Sequence, residues 1–585
     1  MKKKLIPILG GVALILIMVA VIIITNLVKK YTPTDETQDL GEYYEITSED
    51  QPAILLNNNY PEEYAKVIDG EIYLELDFIK ENLNDRFYWD SNENLLLYAT
   101  GTSVYTADVN TASYTKDKNN LTHSAVICKI NAESCYVHID YVSLFSDFTY
   151  SYYTDPNRLL IWTGEDEVTV GTIKKDTQVR VLGGIKSPIL KELVKSDTVY
   201  VLATDETWSQ VMTEDGVIGY VMNKKLNVTE DTVVLNTSDY TAEEDSHVFF
   251  DQGEVCLGWH PVYARVGSTE AATTLSSTEG LNVVSPTFFY LNDAEGSLGD
   301  YCTEEYVKYC HNQDISVWGL CSDFGGDAKD YASQILPYTS KRIALENQII
   351  AKALSYNLDG INIDFEYITE DIAESYIQFM RELAIKCHNN GLILSVDTYT
   401  PSNSLAYYDI TDQAHFVDYV IIMGYDEHWP GSDSGSVASL SWVTEAVANT
   451  LELIPNEQFI LAMPFYTRLW ELTLLDSASG DEVLDINDSY EVTGYSAYGL
   501  DSIYKAIGSH YDDAVWDEDC GQYYVEWSED DGATIYRVWI EDSTSLELKL
   551  KLMDDNELAG CAFWSLYFAN DTIWDTVIKY INEAD

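Results

Sequence analysis

The decapeptide Leu358-Asp359-Gly360-Ile361-Asn362-Ile363-Asp364-Phe365-Glu366-Tyr367 is where this 585-residue chain could do chemistry. Side chains alternate between the two faces of a β-strand. Read as a strand, Ile361, Ile363 and Phe365 share one face, and Gly360, Asn362, Asp364 and Glu366 share the other. The apolar face suits packing beneath helices. The polar face lines up an amide and two carboxylates in an enclosed place, where carboxylates are costly unless they are hydrogen-bonded or share a proton. That arrangement points to proton transfer, with Glu366 as a general acid, Asp364 as its partner, and cleavage of a sugar chain as the reaction.

A strand needs neighbours to hold it. From about Val255 onward apolar β-runs recur: Cys256–Trp259, Val283–Leu291, Ile315–Phe324, the decapeptide itself, Leu392–Tyr399, Asp418–Asp426, Phe459–Trp470 and Gly560–Leu566. Segments with helical periodicity, such as Ile343–Leu354, Ala373–His388 and Trp442–Leu453, lie between them. Near-continuous apolar strands joined by helices imply a parallel sheet covered on its outer side, and eight of them imply a (β/α)8 TIM barrel over 250–585. Such barrels place their sites at strand C-terminal ends. There the chain carries Trp259, Tyr290, Asp323, Asp364, Glu366, Asp397, Tyr399, Met423, Tyr425, Asp426, Tyr466, Arg468 and Trp564. Aromatic rings stack on sugars and polar groups read hydroxyls and amides, so this set suits a carbohydrate cleft. Asp359 reads as a structural residue at the strand start. Asp397 and Tyr399 read as cleft lining, and His428 and Trp429 as residues bordering the cleft. Arg468 reads as a contact to substrate or to Asp426, and Glu529-Asp530-Asp531-Gly532 as a hairpin turn.

The motifs are more specific than the lining. Asp359-Gly-Ile-Asn362-Ile-Asp364-Phe-Glu366 resembles the D-x-x-D-x-D-x-E signature of family 18 glycoside hydrolases, and Met423-Gly424-Tyr425-Asp426 resembles that family's M-x-Y-D. Trp564 matches its eighth-strand tryptophan, and Pro464–Trp470 looks like the seventh-strand segment of the cell-wall and spore branch. The resemblance implies substrate-assisted, retaining hydrolysis of a 2-acetamido sugar polymer, with no metal and no cofactor. Glu366 would protonate the leaving oxygen, Asp364 would hold the acetamide nitrogen, and Tyr425 would bond the acetamide oxygen. Asn362, Asp426, Met423, Trp564, Tyr466, Arg468, Asp397, Tyr399, Trp259 and Tyr290 would bind substrate. Asn362 departs from the signature, which has aspartate there. An amide cannot share a proton with Asp364, and it is expected to donate to that carboxylate instead.

The rest of the chain reads as a delivery system. Lysines at 2–4 precede an apolar run from Leu5 to Val28, long enough to span a bilayer at roughly 20 residues. The basic start favours a single-pass signal anchor over 1–30 with the bulk of the chain outside the cell; a cleaved, secreted form is the alternative. Residues 31–51 read as a polar linker. Residues 52–164 hold a repeat offset by 63 positions, matching Tyr73 to Tyr136, Asp77 to Asp140 and Asn94 to Asn157. This α+β module is similar to the stalk module at the N-terminus of copper amine oxidases, without a copper site. Residues 165–228 alternate short β-runs with turns, and their ending, Trp208-x-x-Val211 then Asp215-Gly216-x-x-Gly219-Tyr220-Val221, resembles bacterial SH3-like domains, which serve as spacers or wall binders. The expected fold is therefore multidomain.

With 34 basic against 97 acidic side chains the net charge is −63. That excludes nucleic acid as a partner, since phosphate neutralisation needs a basic surface. The nine cysteines show no metal spacing; Cys128 and Cys135 either bridge locally or stay free. The partners expected are an N-acetylglucosamine polymer (peptidoglycan or chitin), the cell wall and a membrane. Three functions remain open on sequence: a peptidoglycan hydrolase, a chitinase or endo-acting N-glycan hydrolase, and a non-catalytic sugar-binding wall protein.

Overall fold

The strand Gly360–Asp364 is the fourth of eight parallel strands that close into a barrel. The computed structural model describes residues 2–57, 59–60, 62–132, 134–265, 267–324, 330–475 and 489–581; Met1, part of the expected basic start, lies outside them. The barrel strands are β1 (Val255–His260), β2 (Val283–Pro286), β3 (Ser316–Ser322), β4 (Gly360–Asp364), β5 (Ile393–Tyr399), β6 (Tyr419–Met423), β7 (Phe459–Pro464) and β8 (Gly560–Trp564). Each pairs in parallel with its sequence neighbour, and β1 pairs with β8 to close the ring.

Alternation on β4 falls as the pattern requires. Ile361, Ile363 and Phe365 pack in the layer between barrel and helices, where the Phe365 and Phe379 rings stack at 5.6 Å. Gly360 is needed where it stands, because a Cβ there would lie 2.9 Å from the Ile393 carbonyl oxygen and from the Trp318 ring. The barrel interior is filled by Val255, Leu257, Trp318, Leu320, Ile421 and Ile460. Asp359 caps the start of the strand, accepting from the Val317 N–H at 2.7 Å and bonding His311 Nε2 at 2.8 Å.

Two strand readings needed correction. The run Val283–Leu291 is interrupted at 287–288: Phe289–Leu291 stays in the barrel sheet, pairing in parallel with the end of β3 at Cys321 and Ser322, and also forms a hairpin with Leu298–Asp300. The run Phe459–Trp470 breaks at Phe465, and Tyr466–Leu474 starts a five-stranded antiparallel sheet inserted between β7 and β8. Continuous apolarity hid both breaks, because a strand that leaves one sheet for another, as at Phe465, or changes partner within one sheet, as after β2, keeps a buried face. Glu529–Gly532 is the turn joining two strands of that insert.

The chain divides into two compact units, Met1–Phe87 with Ala107–Thr115 and Asn119–Ala242, and Tyr88–Thr106 with Lys116–Lys118 and Glu243–Asp585. In the first unit the two repeat copies share one element order: strands Glu71–Glu75 and Ser134–His138 lead into helices Leu76–Asn82 and Ile139–Val142, and the two strands pair antiparallel. Residues 167–234 form a seven-stranded sheet. The stretch read as a polar linker is structured. Thr34 and Gln38 donate backbone hydrogen bonds to Ile185 and Ile189, and Tyr44 is buried against Met212 and Ile218. Cys128 and Cys135 are both free; their register sets Cys128 opposite Val137 and Cys135 opposite Ile130, so the thiols are diagonal neighbours without a bond. The helix Lys2–Tyr31 is long and apolar enough over Leu9–Tyr31 to cross a membrane.

In the second unit a buried ion pair ties the helices Thr339–Tyr356 and Ala373–His388. Arg342 Nε and Nη2 donate to the two carboxylate oxygens of Glu382 at 3.0 and 3.2 Å, and Nη1 to the Leu336 carbonyl at 2.7 Å. Arg342→Ala strands Glu382 as a buried, uncompensated charge. It should destabilise this unit by about 3–5 kcal/mol, read as a lowered guanidinium midpoint, whereas Arg342→Met with Glu382→Leu should recover most of the loss.

Candidate active site

The site is built on the inward face of β4 and the ends of β1, β2, β5 and β6. At its base lies Asn362, fully buried. Its Oδ1 accepts from Trp259 Nε1 at 3.0 Å and Ser285 Oγ at 2.9 Å, and its Nδ2 donates to Asp397 Oδ1 at 2.8 Å. The expected bond from Asn362 to Asp364 is not made. Same-face residues on one strand are two rises, or about 6.6 Å, apart, whereas the β4–β5 register sets Asn362 opposite Ser395 and brings Asp397 within reach of its amide. Asp397 is thus joined to the base of the site rather than merely lining it.

Above Asn362, Asp364 is buried with Oδ1 lacking a hydrogen-bond partner. Burial raises its pKa well above the usual carboxylate range, and the charges of Asp397, Glu366 and Asp323 push the same way. Asp397 is also raised, by burial first, while the bond from Asn362 works against the shift. Glu366, half-buried, is raised by burial; Tyr399 Oη donates to its Oε2 at 2.8 Å and pulls it back. Two groups fix the backbone that carries Glu366. Asp323 accepts from the N–H groups of Glu366 and Tyr367 at 2.9 and 2.8 Å, and Tyr408 Oη donates to the Phe365 carbonyl at 3.2 Å. Burial pushes Asp323 up to about 7 even so.

Across the site, Tyr425 follows β6 with its ring 6.3 Å from that of Tyr466. Asp426 has a positive φ of 61°, which turns the chain there. Its Oδ1 accepts from Tyr466 Oη and from Arg468 Nη2, the latter at 2.9 Å, so the Asp426 alternative for Arg468 is the one observed. Arg468 Nη1 also donates to the His428 carbonyl. Met423 ends β6 between Tyr399 and Ala462 in register. The rings of Trp259 and Trp564 lie 6.0 Å apart. Tyr290, on the segment after β2 that pairs with β3 opposite Ser322, has its ring over Gly299 and 5.1 Å from that of Tyr301. Ser285 and Tyr408 were not found from sequence. Ser285 occupies an inward alternate position on β2, a signal that pattern reading could have used; Tyr408 lies in a loop with no periodicity to mark it.

The sequence profile described as "Glycosyl hydrolases family 18" matches residues 263–569, a little over half of the chain. The chain is similar to the uncharacterized glycosylase YvbX of Bacillus subtilis (strain 168), 22% identical over 342 residues that cover 56% of this chain and 94% of that protein. It is 24% identical over 244 residues to the cortical fragment-lytic enzyme of the same organism, covering 40% of this chain and 52% of that one. A chitinase structure from Chromobacterium violaceum superposes with a TM-score of 0.48 at 21% identity, over 56% of this chain and 98% of that one.

The Tyr399 hydrogen bond stabilises the ionised form of Glu366, so its removal should raise the Glu366 pKa. In Tyr399→Phe the Glu366 carboxyl should titrate at higher pH than in the unmodified protein. Carbon NMR of glutamate-labelled protein, with Glu366→Gln identifying the signal, measures this; an unmoved or lowered titration contradicts it.

Proposed function

The chain belongs to glycosyl hydrolases family 18 and is a hydrolase; on that premise we propose that it cleaves β-1,4-linked N-acetylglucosamine polymers, with cell-wall peptidoglycan as the substrate. The observation that carries the mechanism is the placement of Asp364 and Glu366 as successive inward residues at the end of one strand. Carboxylates so placed cannot stand on opposite sides of a glycosidic bond as acid and nucleophile, so the nucleophile comes from the substrate's own acetamide.

In this mechanism Glu366 gives its proton to the glycosidic oxygen as the C1–O bond breaks. The acetamide oxygen bonds to C1 and forms a cyclic oxazolinium ion. Asp364 accepts the acetamide N–H and aims its oxygen at C1, and Tyr425 donates to that oxygen. Water then attacks C1, gives its proton to the Glu366 carboxylate, and releases the sugar with retained configuration. Burial raises the pKa of Glu366, which favours the protonated form that the first step uses. Asp426, held by Tyr466 and Arg468, fixes the sugar, and Trp564 beside Trp259 supplies the aromatic floor. Asp397 and Tyr399 act on Asp364 and Glu366, and Met423 ends the strand that carries Tyr425 into the site.

Peptidoglycan is favoured over chitin by the similarity to a cortical fragment-lytic enzyme and by the extra modules. The apolar helix would anchor the chain in the membrane with the barrel outside. The seven-stranded sheet of residues 167–234 would act as the SH3-like wall-binding module, and the repeat as a stalk. Chitin remains the second reading, because the acetamide-assisted chemistry serves either N-acetylglucosamine polymer. Mass spectrometry of products released from peptidoglycan and from chitin oligomers decides between them. Glu366→Gln should reduce muropeptide release by about 10²–10⁴-fold with no change in thermal unfolding; undiminished release by that variant removes Glu366 from the role of acid.

A further inference from the structure

We propose that Asp397 is the proton-sharing partner of Asp364, so that this barrel keeps its second interior carboxylate on β5 rather than on β4. The proposal rests on the reading of Asp364 as the group that orients the acetamide.

The geometry begins with register. β4 and β5 pair in parallel, Asn362 opposite Ser395 and Ile363 opposite Val396, which sets Asp364 beside Asp397. Leu394 and Val396 face the outer layer with Ile361 and Ile363, so Asp397 and Asp364 both face inward. Paired strands lie about 4.8 Å apart. Two carboxylates therefore stand side by side, 5% and 3% exposed. The charges that bear on Asp364 are all negative, from Asp397, Glu366 and Asp323. The other titratable groups facing the pair are phenols, Tyr399 on β5 and Tyr425 after β6, each kept neutral by burial, while Tyr376, on the helix that follows β4, lies on the outer side against Phe365. The guanidinium of Arg468 is engaged with Asp426. Two adjacent carboxylates without a counter-charge in low dielectric cannot both ionise, so they titrate as a unit and hold one proton between them.

Asn362 decides where that proton rests. Its amide donates to Asp397, which favours charge there, while Asp364 Oδ1 has no donor. In the resting site the proton sits on Asp364. As the acetamide oxygen bonds to C1, positive charge grows on the acetamide nitrogen next to Asp364. The proton then passes from Asp364 to a carboxylate oxygen of Asp397: one O–H bond breaks, one forms, and the pair keeps a charge of −1. Asp364 is left ionised against the cationic ring, and the proton returns after hydrolysis. Asp397 never touches the substrate in this scheme. It is a positioning residue acting through Asp364, and the amide at 362 is accommodated because the carboxylate it would otherwise supply stands on the next strand.

The test compares the full chain with Asp397→Ala, Asp397→Asn and the double variant Asn362→Asp/Asp397→Asn, each checked for unchanged thermal unfolding. A chromogenic di-N-acetylglucosamine glycoside is the substrate, with kcat and KM followed against pH. In Asp397→Ala the like charge that raised Asp364 is gone, but so is the acceptor for its proton, so the site's single negative charge must come from loss of the Asp364 proton to solvent against burial and the charges of Glu366 and Asp323. The acid limb of kcat should move up by about one pH unit and kcat at the optimum should fall by about tenfold or more, with KM little changed. The double variant returns a carboxylate to the neighbourhood of Asp364 and should recover most of the kcat lost in Asp397→Asn. An unmoved acid limb in Asp397→Ala, or a double variant no better than Asp397→Asn, overturns the proposal. Infrared difference spectroscopy of the unliganded protein separates this from the reading it rests on. The unmodified chain at neutral pH should show a protonated buried carboxyl band that Asp397→Ala alters, whether or not the glycoside is a substrate; absence of that band refutes the shared proton by itself.

Discussion

Carboxylates buried without a counter-charge set the terms for the rest of this barrel. Removing an ionised carboxylate from water is tolerable only if hydrogen bonds, a partner charge or a proton compensate for it. The two sides of the site use different compensations. Asp426 meets a guanidinium and a phenol, from Arg468 and Tyr466. Asp397 meets the amide of Asn362, Asp364 Oδ1 meets no donor, and burial drives both upward. Asn362 is the hinge of this arrangement, since its carbonyl accepts from Trp259 and Ser285 while its amide holds Asp397. Three strands, β1, β2 and β5, are thereby fixed to the centre of β4 through one side chain.

The inserted sheet has a comparable anchoring task. Its first strand leaves the barrel straight after β7, so Tyr466 and Arg468 belong both to the end of the barrel and to the root of the insert. Farther along, Trp470 Nε1 donates to the Gly435 carbonyl at 2.8 Å, and Ser436 Oγ to Gln522 Oε1 at 2.6 Å. The loop after β6, which carries Asp426, is thus bonded to the insert at several points. The insert contributes more than bulk: without the pairing of Tyr466–Leu474 to its neighbours, the residues that hold Asp426 would have no fixed position.

Much of this was legible in the sequence, for physical reasons that also explain the rest. The eight parallel strands are apolar on both faces because both are buried, and such runs stand out from acidic surroundings. The facing of Ile361, Ile363 and Phe365 followed from a period of two. What alternation cannot show is which sheet or which neighbour a strand pairs with, so the breaks at Phe465 and after β2 were missed. Nor does it show cross-strand partners. The reading of Asn362 looked along β4 to Asp364, whereas the contact runs sideways to Asp397, and only register reveals that.

The choice of donors around Glu366 follows the same logic as the buried pair. A general acid working near neutral pH must hold its proton until the leaving oxygen demands it, so its surroundings must not favour the anion too strongly. A lysine or arginine beside Glu366 or Asp364 would draw both pKa values down and disarm them. Here the groups near them are phenols, an indole and an amide, from Tyr399, Tyr425, Trp259 and Asn362, which can give hydrogen bonds without adding charge. The one guanidinium in the described site is tied to Asp426 and to the His428 carbonyl, on the side where a fixed geometry matters more than a held proton. The distribution of charge across the cleft thus separates a side that moves protons from a side that grips the sugar.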